Sequence, residues 1–241
     1  MVIAAFKLTL ANGYVRSCPS DSGTGRHRGV NARVKRTFRL RLGSWNVGTL
    51  KGKLLELEDA LARCKIDIAC FQETKWTGKS TRDGNGFKLW YSGAPKSING
   101  VGIIITDQLK DFVVHVERHE DRLMLVRLVI QEETINVISA YAPQSGRSEG
   151  EKKRFWDSLD ELVRSCPDDQ RLVLGGDLNG HIGVQSDGYP GVHGGLGFGR
   201  RNDEGRRILD FAFAHDLIIA NSFFRKRKSQ LITFQSGGNE P

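Results

Sequence analysis

Asp177 and Asn179 stand two positions apart, directly after the apolar run Leu172-Val173-Leu174 and the pair Gly175-Gly176. On extended backbone, side chains at i and i+2 point to one face, so the two aim at one place just past the end of a buried strand. The carboxylate brings negative charge and accepts protons; the carboxamide both donates and accepts hydrogen bonds. Together they suit a water molecule, a phosphate oxygen or a hard metal ion. Asp-x-Asn after glycines is also ordinary turn chemistry. Three further apolar runs end in polar residues: Trp45-Asn46, Gln72-Glu73-Thr74-Lys75 and Tyr141-Ala142-Pro143-Gln144. Each has a plainer reading. Asn46 fits a turn, Glu73 fits a solvated strand end or a pair with Lys75, and Tyr141 fits a core edge with a wet hydroxyl. Jointly they can form a site for phosphate and a divalent cation, because sheet-based α/β folds bind ligands beyond strand ends.

The elements that must position these residues follow from periodicity. Phe38, Leu40 and Leu42 alternate with Arg39 and Arg41, which predicts a half-buried strand running into Ser44-Trp45-Asn46-Val47. Leu54, Leu57 and Leu61 predict a helix over 51–64, and 66–71 reads as a short buried strand. The polar, Gly-rich stretch 77–86 reads as a loop. Strands are expected over 87–91, 101–106 and 112–117. A hairpin over 123–130 and 134–141 turns near Glu132-Glu133. A helix over 151–164 precedes the strand 171–174. The long Gly-rich stretch 180–202 reads as a functional or mobile loop. A helix over 204–215, a short strand over 217–220, the basic run Arg225-Lys226-Arg227-Lys228 and a last strand over 231–234 complete the pattern. The basic run suits a nucleic-acid contact and a solvated patch equally. Strands outnumber helices, so the class is α/β, with mixed sheets and helices packed outside.

The chain has 241 residues, 39% of them hydrophobic, and a formal net charge of +8. Its mean hydropathy is −0.37. Such a chain fits one large domain or two small ones and can bury a substantial core, and no apolar run approaches the ~20 residues of a membrane helix. The positive charge favours a polyanionic partner, nucleic acid first. Cys18, Cys64, Cys70 and Cys166 are scattered without zinc spacing. Cys64 and Cys70, in apolar settings, are expected to be buried thiols. Residues 1–37 carry Lys7, Arg16, Arg26, Arg28, Arg33, Lys35 and Arg36 against Asp21 alone. They read as a disordered basic arm rather than a transit peptide, leaving 38–241 as the globular domain.

Ser44-Trp45-Asn46-Val47, Cys70-Phe71-Gln72-Glu73-Thr74-Lys75, Tyr141-Ala142-Pro143-Gln144-Ser145-Gly146-Arg147 and Gly176-Asp177-Leu178-Asn179 occur in order. In this, residues 38–241 resemble the endonuclease/exonuclease/phosphatase superfamily, and its apurinic-endonuclease branch in particular. The intervening text is similar to endonuclease domains of non-LTR (LINE, RTE/BovB-type) retrotransposons and to craniofacial development proteins. The resemblance implies a DNase I-like four-layer α/β sandwich of two mixed β-sheets flanked by helices. It implies Mg²⁺ or Mn²⁺ held by Glu73 with Asn46 beside it, and Asp177 orienting or deprotonating the attacking water. Asn179 would hold the scissile phosphate, and Tyr141 would bond the phosphate or sit near the leaving group. Gln144, Arg147 and Lys75 would contact phosphate. The implied reaction is metal-dependent phosphodiester hydrolysis on nucleic acid, DNA foremost, in the nucleus first and the cytoplasm second, not in a secreted protein, with no membrane partner. A phosphatase of small phosphoesters or inositol lipids, and a non-catalytic nucleic-acid-binding remnant, are the alternatives.

There are departures from the family pattern. Gly48 stands where the apurinic branch often has Asp. The family's later Asp and its histidine motif would follow a segment like Thr233-Phe234-Gln235-Ser236-Gly237, and the chain ends at Pro241. His181 and His193 read as loop or DNA-contact residues rather than substitutes. The expectation is therefore a fold missing its last strands, with one exposed sheet edge and impaired activity.

Overall fold

The computed structural model of the protein describes residues 2–7 and 39–225. Two sheets face each other. One has six strands in the order β11-β1-β10-β9-β8-β7: β1 (Val2–Lys7), β7 (Val113–His119), β8 (Leu123–Ile130), β9 (Glu133–Tyr141), β10 (Arg171–Asp177) and β11 (Ile218–Ile219). The other has five in the order β2-β3-β6-β5-β4: β2 (Leu42–Asn46), β3 (Ile68–Gln72), β4 (Gly78–Asp83), β5 (Phe87–Gly93) and β6 (Val101–Thr106).

Strand alternation makes the layers. In β8, Met124, Val126 and Leu128 face the second sheet, where Ile68, Cys70, Val101, Ile103 and Ile105 meet them. Leu123 and Leu125 face outward with Ile138, Ala140, Leu172 and Leu174. That outer face is covered by α2 (Glu149–Arg164), through Phe155, Leu159 and Leu162, and by α3 (Asp203–Ala214), through Ile208, Leu209 and Ala212. On the far side, α1 (Leu54–Cys64) packs Leu57 and Leu61 against Ala69, Phe71 and Ile104. The result is helix, sheet, sheet, helices: the four-layer sandwich expected. Both outer helices start on capping side chains. Ser148 accepts the Glu151 N–H at 3.3 Å, and Asn202 accepts the Gly205 N–H at 2.8 Å.

Several expectations change. The stretch 77–86, read as a loop, contains β4, which pairs antiparallel with β5 while exposed at every residue. A strand wet on both faces has no apolar alternation to betray it. The basic arm expected over 1–37 is interrupted at its start. The apolar run Val2-Ile3-Ala4-Ala5-Phe6 forms β1, antiparallel to β10 with Val2 opposite Asp177 and Lys7 opposite Leu172. β1 thus takes up the outward N–H and C=O groups of β10. Cys64 is exposed at the end of α1, whereas Cys70 and Cys166 are buried. Residues 8–38, the run from Lys226 and the strand expected over 231–234 lie outside the described residues. No described helix is long and apolar enough to cross a membrane.

Candidate active site

Three site residues, Asn46, Tyr141 and Asp177, are the last inward-facing positions of their strands, and Glu73 directly follows Gln72, the last of β3. On β2 the inward series is Leu42, Ser44, Asn46; on β3 it is Ile68, Cys70, Gln72. On β9 it is Val137, Ser139, Tyr141, and on β10 Val173, Gly175, Asp177. Each series runs from an apolar residue through a small one to a polar one. The inter-sheet core therefore turns polar one layer below the mouth. In that layer the buried Gln72 Nε2 reaches Ser139 Oγ at 3.4 Å, Ser44 Oγ at 3.4 Å and the Gly175 carbonyl at 3.5 Å, while Ser139 Oγ donates to the Phe71 carbonyl at 3.1 Å. Burial pushes the neighbouring Cys70 thiol up to about 12, so it stays protonated.

Above this floor the four motifs meet. The Asn46 amide donates to Glu73 Oε1 at 2.9 Å and to Asp177 Oδ2 at 3.0 Å, and its own oxygen accepts the Gly48 N–H at 3.0 Å. Asn46 thus presents its amide nitrogen to both carboxylates, a donor placed between two negative charges. The Tyr141 hydroxyl donates to Glu73 Oε1 at 2.8 Å. Burial, the bond to Glu73 and the charges of Glu73 and Asp177 push the phenol well above the ordinary tyrosine value, so it acts as a donor and not as a base. Lys75 Nζ stands 3.4 Å from Glu73 Oε2. Asp177 Oδ1 accepts the Asn179 N–H at 3.2 Å, and the Asn179 amide donates to the Ala142 carbonyl at 2.7 Å.

Glu73 and Asn179 both hold left-handed backbone, at φ 57° and 49°. Such strain in non-glycine residues collects at functional sites. The turn at Glu73 is pinned because the Thr74 N–H reaches the Gly100 carbonyl at 3.1 Å and the Lys75 N–H reaches the Asn99 carbonyl at 2.8 Å. Gly100 itself sits at φ 109°, where an added Cβ would fall 2.2 Å from Thr74 Oγ1.

Of the eight residues singled out from sequence, Asn46, Glu73, Lys75, Tyr141, Asp177 and Asn179 come together. Gln144 and Arg147 stand on an exposed turn closed by the Arg147 N–H to the Gln144 carbonyl at 2.9 Å, outside that hydrogen-bonded group. His193 is buried in the Gly-rich loop, with Nδ1 accepting the Gly195 N–H at 3.0 Å and Nε2 3.1 Å from the Gly183 carbonyl. It holds the loop. Exposed His181 is tied through its backbone to Asn202. Sequence reasoning missed Gln72 and Ser139 as the floor. Their signal was a polar residue at an inward-facing position of an otherwise buried strand.

Two carboxylates at one mouth are hard oxygen donors of the kind Mg²⁺ or Mn²⁺ accepts while keeping several waters. Among the described residues no cluster of three or more His, Cys, Asp or Glu side chains forms. An ion here would draw much of its shell from water and substrate.

The sequence matches the Endonuclease/Exonuclease/phosphatase family over residues 43–235. Craniofacial development protein 2 of Bos taurus is 32% identical over 197 residues, covering 81% of this chain and 33% of its own length. The same-named protein of Tragulus javanicus is 32% identical over 197 residues, covering 81% of this chain and 34% of its own. The chain thus spans about a third of the length of these curated relatives. The APE2 catalytic domain of Xenopus laevis superposes with a TM-score of 0.51 at 18% identity, over 70% of this chain and 66% of that one. The endonuclease domain of TRAS1, a telomere-specific non-LTR retrotransposon, does so with 0.50 at 17% identity, over 73% and 71%. These structural likenesses concern the fold. The family match takes in Asn46, Glu73, Tyr141 and Asp177 alike, and on it the chain belongs to the endonuclease/exonuclease/phosphatase family.

Proposed function

We propose that the chain hydrolyses phosphodiester bonds in nucleic acid, with DNA as the first substrate and Mg²⁺ or Mn²⁺ as cofactor. The observation that carries this reading is the single Asn46 amide bonded to both Glu73 and Asp177. It gathers two carboxylates from different sheets at one mouth. Glu73 and Asp177 would hold the ion. Bound there, it would supply positive charge to the phosphate oxygens as negative charge builds on them. Asp177 accepts a proton from the attacking water as the water oxygen bonds to phosphorus, and the ester oxygen leaves with the P–O bonding pair and takes a proton from solvent. Tyr141 keeps Glu73 oriented and remains protonated throughout. Asn179 positions the phosphate, with its amide anchored on Ala142. Lys75, and further out Gln144 and Arg147, meet the flanking backbone phosphates, and the net charge of +8 draws the polyanion in. A nuclear place of action follows from a DNA substrate.

The test is nicking of supercoiled plasmid by the full chain in Mg²⁺, beside hydrolysis of soluble phosphomonoesters. Nicking abolished by Glu73→Gln supports the proposal. Turnover of phosphomonoesters alone, or salt-dependent DNA binding with no cleavage, sinks it in favour of a phosphatase or a binding module.

A further inference from the structure

Resting on the hydrolytic reading above, we propose that Asp121, on the turn between β7 and β8, is a positioning residue that sets where the Glu73 carboxylate stands. That turn bridges the two sheets at the site end through two consecutive residues. The Glu120 carbonyl accepts the Ser92 hydroxyl. The Asp121 carbonyl accepts the Gly100 N–H at 3.1 Å, and Asp121 Oδ2 accepts the Asn99 amide at 2.6 Å. Asn99 and Gly100 in turn supply the two carbonyls that hold Thr74 and Lys75, and so fix the left-handed turn at Glu73. One residue on, Arg122 grips the other partner. Its carbonyl accepts the Tyr141 N–H at 2.8 Å, its guanidinium reaches the Tyr141 carbonyl at 3.3 Å, and it lies 5.3 Å from the ring centre. Its second arm is anchored on Glu151 at 2.9 Å. The Tyr141–Glu73 bond is thus spanned by adjacent residues of one turn, with Asp121 holding the Glu73 side and Arg122 the Tyr141 side. Asp121 touches neither Glu73 nor substrate. It acts through Asn99, which is buried.

Outer residues that orient a metal ligand are typically worth about 10- to 100-fold in metal affinity or activity. The full chain and its variants are titrated with Mn²⁺ by electron paramagnetic resonance and assayed for plasmid nicking, with thermal melts to confirm folding. Asp121→Ala is expected to raise the Mn²⁺ half-saturation about tenfold or more and to lower kcat with KM for DNA unchanged. Asp121→Asn keeps an acceptor oxygen and retains most function. Asn99→Asp sets two carboxylates against each other and behaves like Asp121→Ala. The double variant Asn99→Asp/Asp121→Asn restores a donor–acceptor pair and recovers Mn²⁺ binding. A competent wild type with Asp121→Ala unchanged in Mn²⁺ binding and kcat, or with no recovery in the double variant, overturns this inference alone. A wild type that neither binds Mn²⁺ nor nicks DNA overturns the hydrolytic reading, and this role with it.

Discussion

Asn46 and Asp177 are 131 residues apart in the chain and come from strands of different sheets, yet Asn46 Nδ2 lies 3.0 Å from Asp177 Oδ2. The same nitrogen serves Glu73, so one amide offsets the repulsion of two carboxylates. Asn46→Ala removes that shared donor. We expect nicking to fall about 10- to 100-fold with the melting temperature little changed. Asn46→Asp should fall further, because a third carboxyl in the mouth raises its neighbours' proton affinity. Full activity in Asn46→Ala would remove the bridge from the mechanism.

Tyr141 predicts an alkaline signature. Its folded-state pKa is raised by burial first and by the bond to Glu73 second. Below the ordinary tyrosine value, about 10, the phenol is protonated in folded and unfolded chains alike and its stabilisation is fully present. As pH climbs past that value the unfolded chain ionises first, and the contribution is lost as pH rises through the folded-state value. Melts between pH 8 and 11 should show wild type losing stability more steeply than Tyr141→Phe. Equal slopes would count against the Glu73 bond in solution.

Gly176 has a backbone carbonyl for a wall. A Cβ there would lie 2.6 Å from the Ala140 oxygen, which is held in the β9–β10 ladder and has nowhere to go. Gly176→Ala should cost about 1–3 kcal/mol in denaturant unfolding. Gly146→Ala meets nothing within 4 Å and should stay within about 0.5 kcal/mol.

The thiols should separate cleanly. Cys70 is buried and protonated, while Cys64 is open to solvent. Site mapping by mass spectrometry after alkylation at pH 8 should find Cys64 modified and Cys70 untouched until denaturant is added. Modification of Cys70 in the native chain would mean that the two sheets part readily at the site end.

Strands buried on at least one face announce themselves in the sequence. Leu123–Ile130 appears with the same limits in both readings because its two faces meet different apolar layers. Asn46, Glu73, Tyr141 and Asp177 were legible for a related reason: each closes an apolar series with a polar residue. What resisted reading was local chemistry decided by distant partners. Gly78–Asp83 has no buried face, so its strand pairing leaves no pattern. Asp121 and Asn99 look like any turn residues until the second sheet is set beside them. The direction of the Asn46 amide depends on two carboxylates that no spacing rule could bring together.

The pairing of Val2 with Asp177 has a practical consequence at the bench. Anything fused ahead of Val2, an affinity tag or the scar left by removing one, emerges at the rim where DNA would have to enter. A protein prepared with such a tag can look inert for reasons that lie in the cloning vector. Activity is best compared between the tagged protein and one with nothing added ahead of Met1.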